Sequence, residues 1–120
     1  MGTDHVPPDR SKLARGAFGE ALAAVHYERR GYRVLDRNWR TSTGELDLVL
    51  GRGSLYVFSE VKARRTDAFG PPAAAVGPAK QGRIRLLALE WLRAHGRRGD
   101  VRFDVVSIVG AEVEIIEGAF

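Results

Sequence analysis

Apolar residues recur with two different periods along the chain, and the changes of period mark out its elements. From about Arg10 to Arg30, Leu13, Ala17, Ala21, Ala24 and Val25 recur at helical spacing, and Gly31 stands where a helix would stop. The pattern then shortens. Tyr32 to Trp39 alternates against charged positions and predicts a strand, followed by a turn at Thr41-Ser42-Thr43-Gly44. Glu45 to Leu50 predicts a second strand, Gly51-Arg52-Gly53-Ser54 a hairpin turn, and Leu55 to Lys62 a third strand rich in valine and aromatics. Ala63 to Gly77 carries prolines, glycines and a run of alanines and predicts a mobile loop. Pro78 suits the first position of a second helix reaching about His95, with Ile84, Ala88, Trp91 and Leu92 as its apolar stripe. Two more strands follow, Val101 to Val109 and Glu112 to Glu117, joined at Gly110-Ala111.

The order α-β-β-β-α-β-β predicts an α/β domain in which two helices cover one mixed sheet. Its first three strands have short connections and should pair antiparallel. The crossover through the second helix should lay the next strand alongside, parallel to its neighbour. With 120 residues there is room for one domain, predicted over 11–120, behind a loose tail at 1–10 that has prolines and charges but no apolar run. No stretch approaches the roughly 18 consecutive apolar residues of a membrane helix. The absence of cysteine removes disulfides and thiolate metal sites and fits a reducing cytoplasm. A net charge of +4 and a pI near 10.0 favour polyanions such as nucleic acid, although an arginine-rich composition can also reflect base composition.

The chemistry is expected where polar residues interrupt strands that otherwise want burial. Simple alternation puts Leu46, Leu48 and Leu50 on one face of the second strand and Glu45, Asp47 and Val49 on the other. In the third strand Glu60 and Lys62 share a face opposite Val57, Ser59 and Val61. The sequence permits Asp47 to lie near Glu60 if the two carboxylate faces coincide. Burying such a pair is costly, because desolvation and mutual repulsion both disfavour the charged forms. A divalent cation removes both problems, and Mg²⁺ takes one or two carboxylates with waters completing its shell. A lysine two residues beyond a ligand places an ammonium beside such a water, where it can orient the nucleophile or offset charge on phosphorus. The competing reading of Glu-x-Lys on a strand is a solvated surface pair.

Five segments together carry a resemblance: Gly44-Glu45-Leu46-Asp47-Leu48-Val49, Val57-Phe58-Ser59-Glu60-Val61-Lys62-Ala63-Arg64, Phe69-Gly70-Pro71, Lys80-Gln81-Gly82-Arg83-Ile84 and Arg102-Phe103-Asp104-Val105-Val106. From about Leu13 to Ile116 the chain resembles the YraN-type family of small bacterial proteins, itself similar to archaeal Holliday-junction resolvases within the PD-(D/E)xK nuclease superfamily. The resemblance implies a restriction-endonuclease-like α/β fold and a metal-dependent endonuclease acting on DNA, with branched or otherwise structured DNA as the substrate class. It makes Asp47 and Glu60 the ligands of Mg²⁺ or Mn²⁺ and Lys62 the assisting lysine. Glu20, in Gly19-Glu20 of the first helix, matches a glutamate that often completes such sites; a solvated helix edge is its alternative. The resolvase likeness also implies a homodimer, since a four-way junction presents two cuts. Ser59 departs from the family's small apolar residue, on the face away from Glu60, and should affect packing more than chemistry.

Arg64 and Arg65 follow the site strand and, with Lys80, Arg83 and Arg85, can line a phosphate track. Gln81 can reach the site or the backbone. Arg97 and Arg98 can touch nucleic acid, although loop arginines are usually solvated. His5, His26 and His95 share no metal-ligand spacing, and Trp39 and Trp91 suit core or interface better than base stacking. Two rival functions remain at this stage: a nucleic-acid-binding module of the same fold without turnover, and a structural or protein-interaction domain whose strand charges pair with each other.

Overall fold

The computed structural model describes residues 10–64 and 76–120, with side chains from residue 17 onward in the first helix. The elements are α1 (Arg10–Arg29), β1 (Arg33–Thr41), β2 (Gly44–Arg52), β3 (Leu55–Arg64), α2 (Pro78–Ala94), β4 (Asp100–Val109) and β5 (Glu112–Ile116). The expected order is observed, with boundaries shifted by no more than two residues. The predicted tail and most of the loop after β3, Arg65 included, lie outside the described residues. No helix among the described residues is long and apolar enough to cross a membrane.

The five strands lie in sequence order, β1-β2-β3-β4-β5. All neighbours are antiparallel except β3 and β4, which run parallel because α2 carries the chain back across the sheet between them. Leucines, valines and aromatics fill both faces. Val49, Phe58 and Val105 pack under Ile84, Leu87 and Trp91 of α2. On the other face Leu48, Leu50, Val57 and Val106 pack under Ala23, Ala24 and Tyr27 of α1. A five-stranded mixed sheet between two helices is the architecture expected of a restriction-endonuclease-like fold.

Two expected facings are corrected. In α1 the buried face is Gly19, Ala23, Ala24 and Tyr27, while Ala17, Ala21 and Val25 are exposed. Alanines on several sides of a helix do not define its phase; the large side chain does, and Tyr27 is wholly buried. In β2, Leu46 leaves the side of Leu48 and Leu50 and joins the cluster under α2. The β2–β3 ladder ends at Leu48↔Ser59, so the first residues of β2 are held by β1 alone. β1 is itself irregular, with a register shift between Val34 and Asp36 beside Val49 and Leu50, and a φ of 50° at Asn38, between the Arg37↔Leu48 and Trp39↔Leu46 pairs; asparagine tolerates the left-handed region. Strict alternation fails beside such irregularities.

One buried polar cluster ties α1 to the sheet. Asp104 has no exposed surface, yet it accepts bonds from Arg102 Nε (2.8 Å) and Nη2 (2.9 Å), the Gly118 amide (3.0 Å) and the Tyr27 hydroxyl (2.8 Å). Tyr27's single proton is committed to Asp104, so the Ser59 hydroxyl donates to the Tyr27 oxygen at 2.9 Å. Burial, and then the charge of Asp104, hold the Tyr27 phenol protonated far above its usual range. Ser59 thus serves packing on the face away from Glu60, as its departure from the family pattern implied. Replacing Asp104 by alanine leaves the Tyr27 proton without its acceptor and Arg102 with only Tyr32 and Glu117 as partners, with an expected cost of about 3 kcal/mol. Ser59→Ala leaves the Tyr27–Asp104 bond in place and is expected to cost about 1 kcal/mol. Denaturant melts of the two variants check this, and equal losses would contradict the network.

Candidate functional site

The site forms where two strands part. Beyond Ser59, β3 stays paired with β4 from Glu60↔Val105 to Arg64↔Val109, but its ladder with β2 has ended. The Val61 amide, which would otherwise meet β2 backbone, donates instead to Asp47 Oδ2 at 2.9 Å. A side chain therefore stands in for a ladder partner and fixes the Asp47 carboxylate beside the strand that carries Glu60. The notch encloses about 220 Å³ and is lined by Gly44, Glu45, Asp47, Glu60, Lys80, Arg83, Ile84 and Leu87. The two carboxylate faces do coincide.

Glu60 is almost wholly buried. Its Oε1 accepts from Lys80 Nζ at 2.6 Å and lies 3.8 Å from Lys62 Nζ. Burial, and then the charge of Glu60, push the Asp47 carboxyl up to about 7; Glu20 and Glu45 add to the rise and the Val61 amide opposes it. Burial, and then the like charge of Lys80, lower the Lys62 ammonium, with Glu60 opposing. Lys80 is also penalised by burial, but its bond to Glu60 and that carboxylate's charge outweigh the penalty and raise it.

The other expected site residues are placed as follows. Glu20 is half-buried one residue after Gly19 on the buried side of α1, close enough for its charge to act on Asp47. A Cβ at Gly19 would come within 3.1 Å of the Ala63 Cβ, so glycine lets α1 approach β3 closely and brings Glu20 toward the notch. Glu45 lines the notch but is held by Arg40 Nη2 at 2.6 Å. Among the described residues no group of three or more His, Asp and Glu is arranged to hold a metal ion. Arg83 lines the notch with its side chain exposed. Arg64 has its Nη2 buried without a hydrogen-bond partner among the described residues. Arg85 lies over the rings of Phe103 and Phe120, at 5.7 and 5.4 Å, away from the notch-lining residues. Gln81 bonds the Val76 carbonyl at 2.9 Å and so takes the backbone option. Arg97 and Arg98 line a separate groove at the far end of α2. Trp91 is core, and Trp39 packs against it only partly buried.

Sequence reasoning assigned Lys80 to a phosphate track and missed its contact with Glu60. One signal was available. Lys80 lies in the first turn of a helix, where a carboxylate is favoured and a cation is not.

A restriction-endonuclease-like α/β sheet with paired carboxylates and Glu-x-Lys at a ladder's end defines a recognisable class of small domain. The model of the "Uncharacterised protein family UPF0102" matches residues 19–108, and the chain belongs to that family, the YraN-type family of the sequence resemblance. It is 54% identical over 98 residues to a UPF0102 protein of Rhodococcus jostii, covering 81% of this chain and 83% of that protein. A UPF0102 protein of Renibacterium salmoninarum is 46% identical over 101 residues, covering 83% and 86% respectively. One from Acidothermus cellulolyticus is 44% identical over 126 residues, covering 92% and 96%.

The Asp47 shift has a stability consequence. Without a bound ion the folded chain holds a proton on Asp47 up to about pH 7, whereas the unfolded chain loses it near the ordinary value of 3.8. The folded form's proton uptake makes this group's contribution fullest below pH ~4 and lost as pH rises through ~7. In chelator, Asp47→Asn is therefore expected to flatten the fall in stability between about pH 4 and 7 (the window between the two values) and to exceed the unsubstituted protein at the upper end by about 1–3 kcal/mol. Melting curves across that range check the expectation, and parallel pH slopes would contradict it.

Proposed function

We infer that this chain is a metal-dependent endonuclease-like phosphodiester hydrolase acting on DNA, with branched or structured DNA as the favoured substrate class. One observation carries the reading: Asp47 and Glu60 line the same notch, and Lys62 follows Glu60 on the same face of β3 within 3.8 Å of its carboxylate. The donor set fits Mg²⁺ or Mn²⁺, since two oxygen ligands leave room for waters and a phosphate oxygen. The raised pKa of Asp47 marks a crowded anionic pocket that a divalent ion would relieve. When bound, such an ion supplies an acidified water and neutralises charge on the phosphoryl oxygens.

The chain's own residues do the rest. Asp47 and Glu60 would hold the ion, and the Val61 amide fixes the Asp47 carboxylate in position. Lys62, its ammonium lowered by burial, orients the attacking water and offsets charge developing on phosphorus. Glu20, on α1, acts on Asp47 through its charge and would serve as a supporting carboxylate. Arg83 at the notch and Arg64 at the end of β3, with Arg65 next to it in the sequence, supply positive charge to the DNA backbone.

The test is cleavage of linear, flapped and four-way DNA with Mg²⁺ or Mn²⁺. Asp47→Ala and Lys62→Ala are each expected to lower the rate by about 100-fold or more while the fold is kept. Salt-sensitive DNA binding without cleavage, unchanged in both variants, would instead mark a binding module. Neither binding nor cleavage would leave a protein-interaction domain.

A further inference from the structure

Lys80 holds a carboxylate oxygen that a metal ion ligated by Glu60 would compete for. Its ammonium lies 2.6 Å from Glu60 Oε1, the oxygen that Lys62 approaches to 3.8 Å. The Glu60 side chain is only 8% exposed, so this is no loose surface pair. The helix supplies an independent observation. Lys80 lies in the first turn of α2, whose free amides carry partial positive charge. That turn has no acidic residue, and Gly77 provides no side-chain cap. A cation there opposes the helix dipole, and its hydrogen-bond partner is Glu60, twenty residues back along the chain. The cation serves the notch and not the helix.

An ion ligated by Glu60 would sit about 2.1 Å from its oxygens. An ammonium bonded to the same carboxylate would then be about 4 Å from a double positive charge, and the two would repel. Lys80, in direct hydrogen bond with Glu60, is the ammonium that ion entry disfavours, whereas Lys62 stands 3.8 Å off. The lysine stem is long and flexible, and its side chain is 36% exposed, so the ammonium has somewhere to swing.

We propose that Lys80 is a built-in counter-cation that neutralises the Asp47–Glu60 notch, is displaced when a divalent ion enters, and on release joins Arg83 as a phosphate-binding charge at the α2 N-terminus. This rests on the metal-site reading above and adds a regulation to it. The site resists the ion until Lys80 leaves, and ion entry presents a further cation to the nucleic-acid backbone, so ion and DNA bind with positive coupling.

The test is calorimetric titration of Mn²⁺ into metal-stripped protein, unsubstituted and as Lys80→Gln, Lys80→Arg and Asp47→Ala. Lys80→Gln is expected to bind Mn²⁺ about tenfold or more tightly than the unsubstituted protein. Lys80→Arg, which keeps the charge, is expected to bind no more tightly; it carries the test if Lys80→Gln does not fold, since tighter binding by Lys80→Arg would overturn the latch. In parallel, binding of a short DNA duplex is measured with and without Ca²⁺, the DNA being checked to remain intact. Ca²⁺ is expected to tighten binding by the unsubstituted protein more than by Lys80→Gln, and an equal gain would overturn the released-cation role. Mn²⁺ affinity unchanged or weakened in Lys80→Gln, while the unsubstituted protein binds and Asp47→Ala does not, would overturn the latch alone. No uptake by any form, or uptake unchanged in Asp47→Ala, would overturn the metal-site reading and the latch with it.

Discussion

The hydrogen bond from the Val61 amide to Asp47 Oδ2 is the contact on which the notch depends. A strand that loses its neighbour leaves amides unpaired, and a buried unpaired amide is expensive. Here an aspartate side chain accepts the bond that β2 backbone no longer takes, and the Val61 amide stays paired where the sheet opens. The same act fixes a carboxylate next to Glu60, whose own side chain is nearly closed to water. Strand separation and carboxylate convergence are one event. Most of the local electrostatics follows from it: Asp47 raised, Lys62 lowered, and Lys80 drawn in to Glu60.

The two faces of the sheet divide the work. The α2 face holds Glu60, Lys62 and Lys80, in a notch that opens to an exposed arginine. The α1 face holds the closed cluster of Tyr27, Ser59, Asp104 and Arg102, where every carboxylate oxygen of Asp104 has at least two donors. Adjacent residues of β3, Ser59 and Glu60, serve opposite ends of this contrast. One buried acid is fully satisfied and rigid; the other is answered by mobile lysine heads. A carboxylate held by fixed donors has nothing left to offer a ligand, whereas one held by lysines can exchange partners.

Much of this was legible in the sequence because the local signals agreed. Gly31, the Thr41–Gly44 turn, the Gly51–Ser54 turn and Pro78 set boundaries that the structure keeps within two residues. The period of two put Glu60 and Lys62 together, and Asp47 joined them as the family resemblance implied. What failed lay where local periodicity carries no information. The phase of α1 could not be read from alanines and was set by Tyr27, whose partners Ser59 and Asp104 come from distant strands. Leu46 escaped its alternation because of backbone irregularities in β1. Asp104 stood in an apolar strand between Phe103 and Val105, a visible anomaly, but its four donors come from three separate parts of the chain. The contact of Lys80 with Glu60 required knowing how α2 lies across the sheet.

The chain separations within the site carry a consequence for how it assembles. Asp47 and the Val61 amide are fourteen residues apart and Lys80 is twenty from Glu60, while Tyr27 must find Asp104 across seventy-seven. Loop-closure entropy grows with such spans, and parallel pairing of β3 with β4 must wait for α2 to cross over. The hairpin bearing both acids closes over a short turn, and the carboxyls it brings together are offset by a lysine from another element, α2. The site's charge balance is therefore complete only once the crossover is in place, and its electrostatics bears on the cohesion of the fold as well as on its use.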